Sequence, residues 1–119
     1  MIALLPLLLA AAVPTPANLQ VVLYPNGTSK SPVVWVRLRC GPPGGTHPHR
    51  VAACATLARL AHPFAPTPPT VMCSDVYSGP QVAYVRGTFR GVRVNARFSR
   101  TNSCETARWN RVAPVLRID

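Results

Sequence analysis

Residues 40–57 read CGPPGGTHPHRVAACATL, and the arrangement of the whole chain is read outward from this stretch. Its first part, 41–48, holds glycines and prolines in a density that breaks regular structure and reads as a loop. Its second part changes period. A helix is predicted over 53–61, with Cys54, Leu57, Ala58 and Ala61 on one stripe and Arg59 opposite, stopped by Pro63. Upstream, residues 33–40 (VVWVRLRC) alternate as a strand does: Val34, Val36, Leu38 and Cys40 face one way, Trp35, Arg37 and Arg39 the other. Residues 19–24 form an earlier β-branched run that ends at the turn signal Pro25-Asn26-Gly27.

Downstream, residues 63–69 carry four prolines, which suits an extended and fairly stiff connector. Residues 82–89 and 92–99 flank Arg90-Gly91 and read as a hairpin. In the second of these strands Val92, Val94, Ala96 and Phe98 alternate with Arg93, Asn95, Arg97 and Ser99. Asn102 followed three residues later by Glu105 marks the start of a short helix over 102–109, and 115–118 is expected to close the sheet as a last strand. There is no internal repeat. The sum is an α+β domain, an antiparallel sheet with one face covered by a helix.

Composition agrees. A chain of 119 residues holds one domain with a single modest core. An apolar share of 48% argues against a charge-dominated disordered chain, and 14 prolines argue against a helical bundle. Residues 1–13 (MIALLPLLLAAAV) are apolar but fall short of the roughly 20 needed to span a bilayer. They suit the apolar region of a secretory signal, with a cut expected after Ala17, so that 1–17 is the leader and 18–119 the mature domain. No basic leader precedes the run and no Cys follows it directly, which leaves the true start open and argues against a lipid anchor. In an exported domain the four cysteines, Cys40, Cys54, Cys73 and Cys104, favour two disulfides, for which spacing leaves all three pairings open.

Three chemistries can be weighed from residue types alone. Cys40, His47, His49 and Cys54 lie close together, but their spacing is not that of a zinc finger, and no metal or cofactor is expected. His47, Ser74 and Asp75 supply the types of a hydrolytic triad without a nucleophile-elbow motif, and the chain has only three acidic side chains, so no catalytic residues are assigned. A net charge of +10 attracts phosphates, and Arg37, Arg39, Arg93 and Arg97 are expected to share one sheet face with Trp35. No recognition motif accompanies them, so sequence-specific nucleic-acid binding is not expected. Asn26-Gly27-Thr28 is a glycosylation sequon, relevant only where the host glycosylates.

Two cysteine neighbourhoods go further. The stretch 40–57 and the segment 71–77, VMCSDVY, both resemble the Streptomyces subtilisin inhibitor family of secreted serine-protease inhibitors. Cys40, Pro42, Gly45, His47, Pro48, Ala53, Cys54, Ala55 and Leu57 all stand at that family's spacing, and the resemblance runs on through the hairpin strands to Cys104. It implies a five-stranded antiparallel sheet with two helices, disulfides Cys40–Cys54 and Cys73–Cys104, and a homodimer packed through the sheets. It also implies a reactive loop of Met72, Cys73, Ser74, Asp75, Val76 and Tyr77, with Asp75–Val76 as the scissile bond, that lies in a protease cleft as a stabilised substrate mimic. The implied partners are secreted serine endopeptidases of the subtilisin type.

The departures from that pattern bear on the target. Asp75 stands where Met or Lys is usual before the scissile bond, and Ser74 where Pro is common, so an acidic-residue-specific protease of the glutamyl-endopeptidase kind suits the loop better than subtilisin. Ser78-Gly79-Pro80 lengthens the exit from the loop by one residue, and the connector 63–69 is shorter than usual. Arginines on the outer sheet face oppose the homodimer. The alternative reading is a domain of this fold with little antiprotease activity that binds polyanions through its arginine surface.

Overall fold

The computed structural model describes residues 15–119. The leader expected over 1–17 therefore lies almost entirely outside the described residues. Eight elements follow one another: β1 (Ala17–Tyr24), β2 (Val34–Cys40), β3 (Gly44–Gly45), α1 (Arg50–Arg59), β4 (Val82–Phe89), β5 (Val92–Ser99), α2 (Ser103–Arg111) and α3 (Ala113–Leu116). The strands form one antiparallel sheet in the order β3-β2-β1-β4-β5. The α+β architecture and the five strands agree with the sequence reading, and a short third helix is added to the two expected.

The alternation seen in the sequence sets the two faces of the sheet. Leu19, Val21, Leu23, Val36, Leu38, Val85, Ala96 and Phe98 are buried on the inner face. There α1 and α3 complete the core with Ala53, Leu57, Val112, Val115 and Leu116, while α2 packs beside β5. The β4–β5 hairpin turns where expected, at Arg90 (φ 51°) and Gly91 (φ 77°), a pair of positive φ values suited to a tight two-residue turn. The Arg90 guanidinium then reaches the carbonyls of Leu60 and Ala61 at 2.9 and 3.1 Å, tying the hairpin to the end of α1.

Several expectations are corrected. Residues 115–118 are not a strand. Val112, Val115 and Leu116 are buried at helical spacing, Pro114 stands in the first turn, and Val115 and Leu116 belong to α3, while Arg117 and Ile118 follow it without helix or strand. The fifth strand is instead Gly44–Gly45, inside the stretch read as loop; it pairs with Arg39 and Leu38. Gly45 has φ +89°, and a Cβ there would collide with the Arg37 carbonyl, so only glycine lets the chain pass this close to β2. Helix α1 begins three residues earlier than expected and ends two earlier, and Ala58 and Ala61 are exposed rather than part of its buried stripe. Strand β1 begins at Ala17, which is buried and pairs with Cys40 and Phe89, two residues earlier than the strand read from the sequence.

Of the three pairings left open by spacing, the structure has Cys40–Cys54 and Cys73–Cys104, as the family resemblance implies. The connector 63–69 has no helix or strand, as expected, but it is not merely a spacer. Phe64 leaves it to pack edge-on against Phe89 and Phe98, with ring centroids 5.3 and 6.5 Å apart.

Candidate functional site

The fold treats His47 and the loop 70–77 in opposite ways. His47 is fully buried. Its Nδ1 accepts a hydrogen bond from the His49 backbone N–H at 2.9 Å, so Nε2 carries the proton and donates to the Val115 carbonyl at 2.8 Å. Burial pushes this imidazole below its ordinary 6.5, with the hydrogen bond to Val115 opposing and the nearby His49 ring adding to the depression. Both ring nitrogens are thus occupied, Nδ1 within the β3–α1 loop and Nε2 in joining that loop to α3. Cys40 and Cys54 are bonded to each other and offer no thiolate, so the candidate zinc set holds no ligand quartet. The triad types are likewise not assembled, because Ser74 and Asp75 are exposed while His47 lies in the core.

The loop is the reverse. Thr70, Val71, Met72, Cys73, Ser74, Asp75, Val76 and Tyr77 are all exposed, Met72 to 95%, although Val71, Met72, Val76 and Tyr77 are apolar or aromatic. A row of apolar side chains held out in water has no folding rationale and marks a surface made for contact. The backbone beneath it is nevertheless tied down. The Cys73–Cys104 disulfide fixes it to the first turn of α2. The Ser74 N–H donates to Ser103 Oγ at 2.8 Å, and the Ser103 N–H donates to the Ser74 carbonyl at 3.0 Å. Beyond Tyr77, the Ser78 N–H donates to the Arg100 carbonyl at 2.8 Å. The stretch Asp75–Val76–Tyr77 is therefore free between two anchors.

Helix α2 is the platform for those anchors. Asn102 caps it, its Oδ1 accepting from the Glu105 N–H at 2.9 Å, as the Asn102/Glu105 spacing suggested. Ser103 is the first helical residue, and its N–H is one of the donors that a helix start leaves without an internal partner; here that donor holds the loop. Arg108 is almost wholly buried and bonds Ala65 O through Nε, and Arg97 O and Glu105 Oε2 through its terminal nitrogen, at 3.0, 3.0 and 2.8 Å. It joins the connector, β5 and α2 under the loop. Sequence reasoning found the loop and missed Ser103, Arg100 and Arg108 as its supports. For Ser103 a signal existed: once Cys73 pairs with Cys104, the residue after the first cysteine is brought beside the residue before the second.

A single sheet backed by helices presents one exposed loop that is tied down on both sides, and the class to which this chain belongs is that of the protease inhibitors. A family model described as "Subtilisin inhibitor-like" matches residues 14–103, and the chain belongs to that family. Among solved structures, the fold is similar to Streptomyces caespitosus sermetstatin in complex with Bacillus licheniformis subtilisin, with 22% identity over 88% of this chain and 99% of that one and a TM-score of 0.52. No curated protein matches the chain. Two disulfides fit an oxidising, extracellular setting, and no helix among the described residues is long and apolar enough to cross a membrane.

Proposed function

We propose that this protein is a secreted inhibitor of serine endopeptidases that presents Met72, Cys73, Ser74, Asp75, Val76 and Tyr77 to the protease as a substrate mimic. Asp75–Val76 is the scissile bond of this reading. The observation that carries it is the pairing of full exposure with anchors on both sides of that one peptide bond. Residues 70–73 add to an edge strand of the enzyme by backbone hydrogen bonds. The Asp75 side chain fills the primary pocket. Because the loop is held before it docks, little conformational entropy is lost on binding. If the protease cuts the bond, the Asp75 end stays tied through Ser74 and Cys73 and the Val76 end through Ser78, so the two ends remain close enough to rejoin.

Asp75 sets the choice of target. A carboxylate moved into an apolar pocket costs several kcal/mol unless it is paired or protonated, and each 1.4 kcal/mol is tenfold in affinity. A protease with a basic or polar primary pocket, of the glutamyl-endopeptidase kind, is the preferred partner. Replacing Asp75 by Met is expected to tighten subtilisin binding by about 100-fold, read as the inhibition constant. An unchanged constant would remove Asp75 from the pocket.

The leader 1–17 belongs to the same reading. The intact mass of exported protein decides between a start at Asn18 and one a few residues upstream, which would keep Ala17 in β1 and leave the Pro16 carbonyl in place for the Arg90 N–H. The homodimer implied by the resemblance, packed sheet on sheet, sets two arginine faces against each other. Light scattering at low micromolar concentration decides it: twice the single-chain mass supports the dimer and the single-chain mass removes it.

A further inference from the structure

The helices cover one face of the sheet, and the other is lined with arginine. Strand register places the outward side chains in three rows. Arg39, Asn18, Thr88 and Arg93 form the first, Arg37, Gln20, Arg86 and Asn95 the second, and Trp35, Val22, Tyr84 and Arg97 the third. The four arginines grouped with Trp35 in the sequence do share this face, and Arg86 joins them at its centre. All five arginines are exposed.

No acidic group answers them. The chain's three acidic side chains are Asp75 in the loop, Glu105 in α2 and Asp119 at the end, and the one salt bridge among the described residues is Arg108–Glu105. The neutral residues between the arginines are amides and a hydroxyl, able to donate hydrogen bonds without adding negative charge. Neighbouring strands lie about 4.8 Å apart, and alternate residues along a strand about 7 Å, so each arginine is rooted roughly 7–10 Å from its nearest arginine neighbour over a shallow surface. Such a lattice matches a flexible chain of phosphates better than a single small anion.

The aromatic row narrows the partner. The Arg86 guanidinium lies over the Tyr84 ring, 4.9 Å from its centroid, which occupies that ring. Trp35 is 58% exposed, with its indole free beside the arginines. A charged surface that follows a phosphate backbone, bordered by a free aromatic on which a base can stack, is the arrangement that binds single strands irrespective of sequence. The surface presents no helix or β-ribbon to enter a duplex groove. We propose that the outer face of the sheet binds single-stranded nucleic acid without sequence preference, phosphates on Arg37, Arg39, Arg86, Arg93 and Arg97 and a base on Trp35. This surface shares no residue with the loop 70–77, so the inference stands whether or not the protein inhibits a protease.

The test is a fluorescence titration of the folded, oxidised protein with oligo(dT) of about 15 nucleotides. Binding is expected to quench Trp35, while Trp109, packed against the core, stays little affected. With five phosphates engaged, affinity is expected to fall about 100-fold between about 50 and about 200 mM salt. The Arg86→Ala/Arg93→Ala variant should lower the slope of log affinity against log salt by about 1.4. Trp35→Ala should weaken oligo(dT) binding about tenfold and leave binding of inorganic polyphosphate unchanged. Absence of binding overturns the proposal. So does equal loss for both polymers in Trp35→Ala, or an oligo(dT) affinity no better than that of polyphosphate, since either makes the face a general anion surface. A stable dimer that shields Trp35 and excludes oligo(dT) also overturns it, by giving the face to a second copy.

Discussion

The two disulfides close loops of different kinds in opposite surroundings. Cys40–Cys54 is buried, spans 14 residues, and encloses β3, His47 and the start of α1, all of them engaged with the core. Cys73–Cys104 spans 31 residues and lies at the base of an exposed loop. By the chain-entropy argument the first bridge contributes about 3 kcal/mol to folding and the second about 4. Their roles still differ, because the first region is also held by buried hydrogen bonds and packing, whereas the second has little besides the bridge. Stability in one region and a held shape in the other are separable, and they can be broken one at a time.

The largest effect is expected from the second bridge. Replacing Cys73 and Cys104 by Ala removes the covalent anchor before Asp75–Val76 and leaves residues 70–75 held to α2 by the Ser74–Ser103 hydrogen bonds alone, and each residue that must be ordered again on a protease costs about 1 kcal/mol. Inhibition constants are expected to rise by at least about 100-fold, and the reactive bond should become an ordinary cleavage site. The melting transition should stay cooperative, although at a lower temperature. Inhibition that survives in the reduced-loop variant would show that the loop holds its shape without the bridge.

The converse experiment is at His47. His47→Ala leaves the Val115 carbonyl and the His49 N–H without their partner and opens a cavity in the core beside α3, for an expected loss of about 3 kcal/mol in chemical denaturation. Inhibition by the molecules that remain folded should be unaffected. The same residue gives the first region a pH dependence. Its folded-state pKa lies below the unfolded 6.5, so the unfolded chain takes up the proton first as pH falls. The stability it supplies is complete above about 6.5 and is lost as pH falls through the folded value. Denaturation midpoints should therefore decline on acidification in this window, and the decline should flatten in His47→Ala. Parallel slopes in the two proteins would contradict the buried neutral imidazole.

The smallest effect is at Ser103. Ser103→Ala keeps the backbone bond to the Ser74 carbonyl and removes the one to the Ser74 N–H. A loss of about 1 kcal/mol is expected, which corresponds to roughly a fivefold rise in the rate at which bound protease cuts Asp75–Val76, followed by mass spectrometry. Ser103→Thr, which retains the hydroxyl, should restore the slow rate.

These two regions were not equally readable in the sequence. Alternation in 33–40 and 92–99 marked both faces of the sheet, because a side chain's face follows from a period of two. The Arg90-Gly91 turn and the Asn102 cap were legible for the same local reason. Residues 115–118 were misread because a four-residue apolar run carries no period of its own; only with Val112 included does the helical spacing emerge. The Gly44–Gly45 strand was invisible, since two glycines have no strand propensity and pair only because Leu38 and Arg39 are already in place. The burial of Phe64 and Arg108 depends on contacts distant in sequence, across 25 and 43 residues, which no local pattern reports. The exposed loop was recognised through its family motif; of its supports, Ser103 follows from the Cys73–Cys104 pairing, while Arg100 and Arg108 required the fold.

The central claim is that the anchored loop inhibits by presenting Asp75–Val76, and one measurement meets it directly: titration of the folded, oxidised protein against subtilisin, trypsin and a glutamyl endopeptidase, with the inhibitor's mass recorded at each stage. The account predicts stoichiometric inhibition that is tightest for the glutamyl enzyme, with slow conversion to a form cut only between Asp75 and Val76 and still held together by Cys73–Cys104. No inhibition of any of the three, or rapid cleavage elsewhere in the loop, would contradict it.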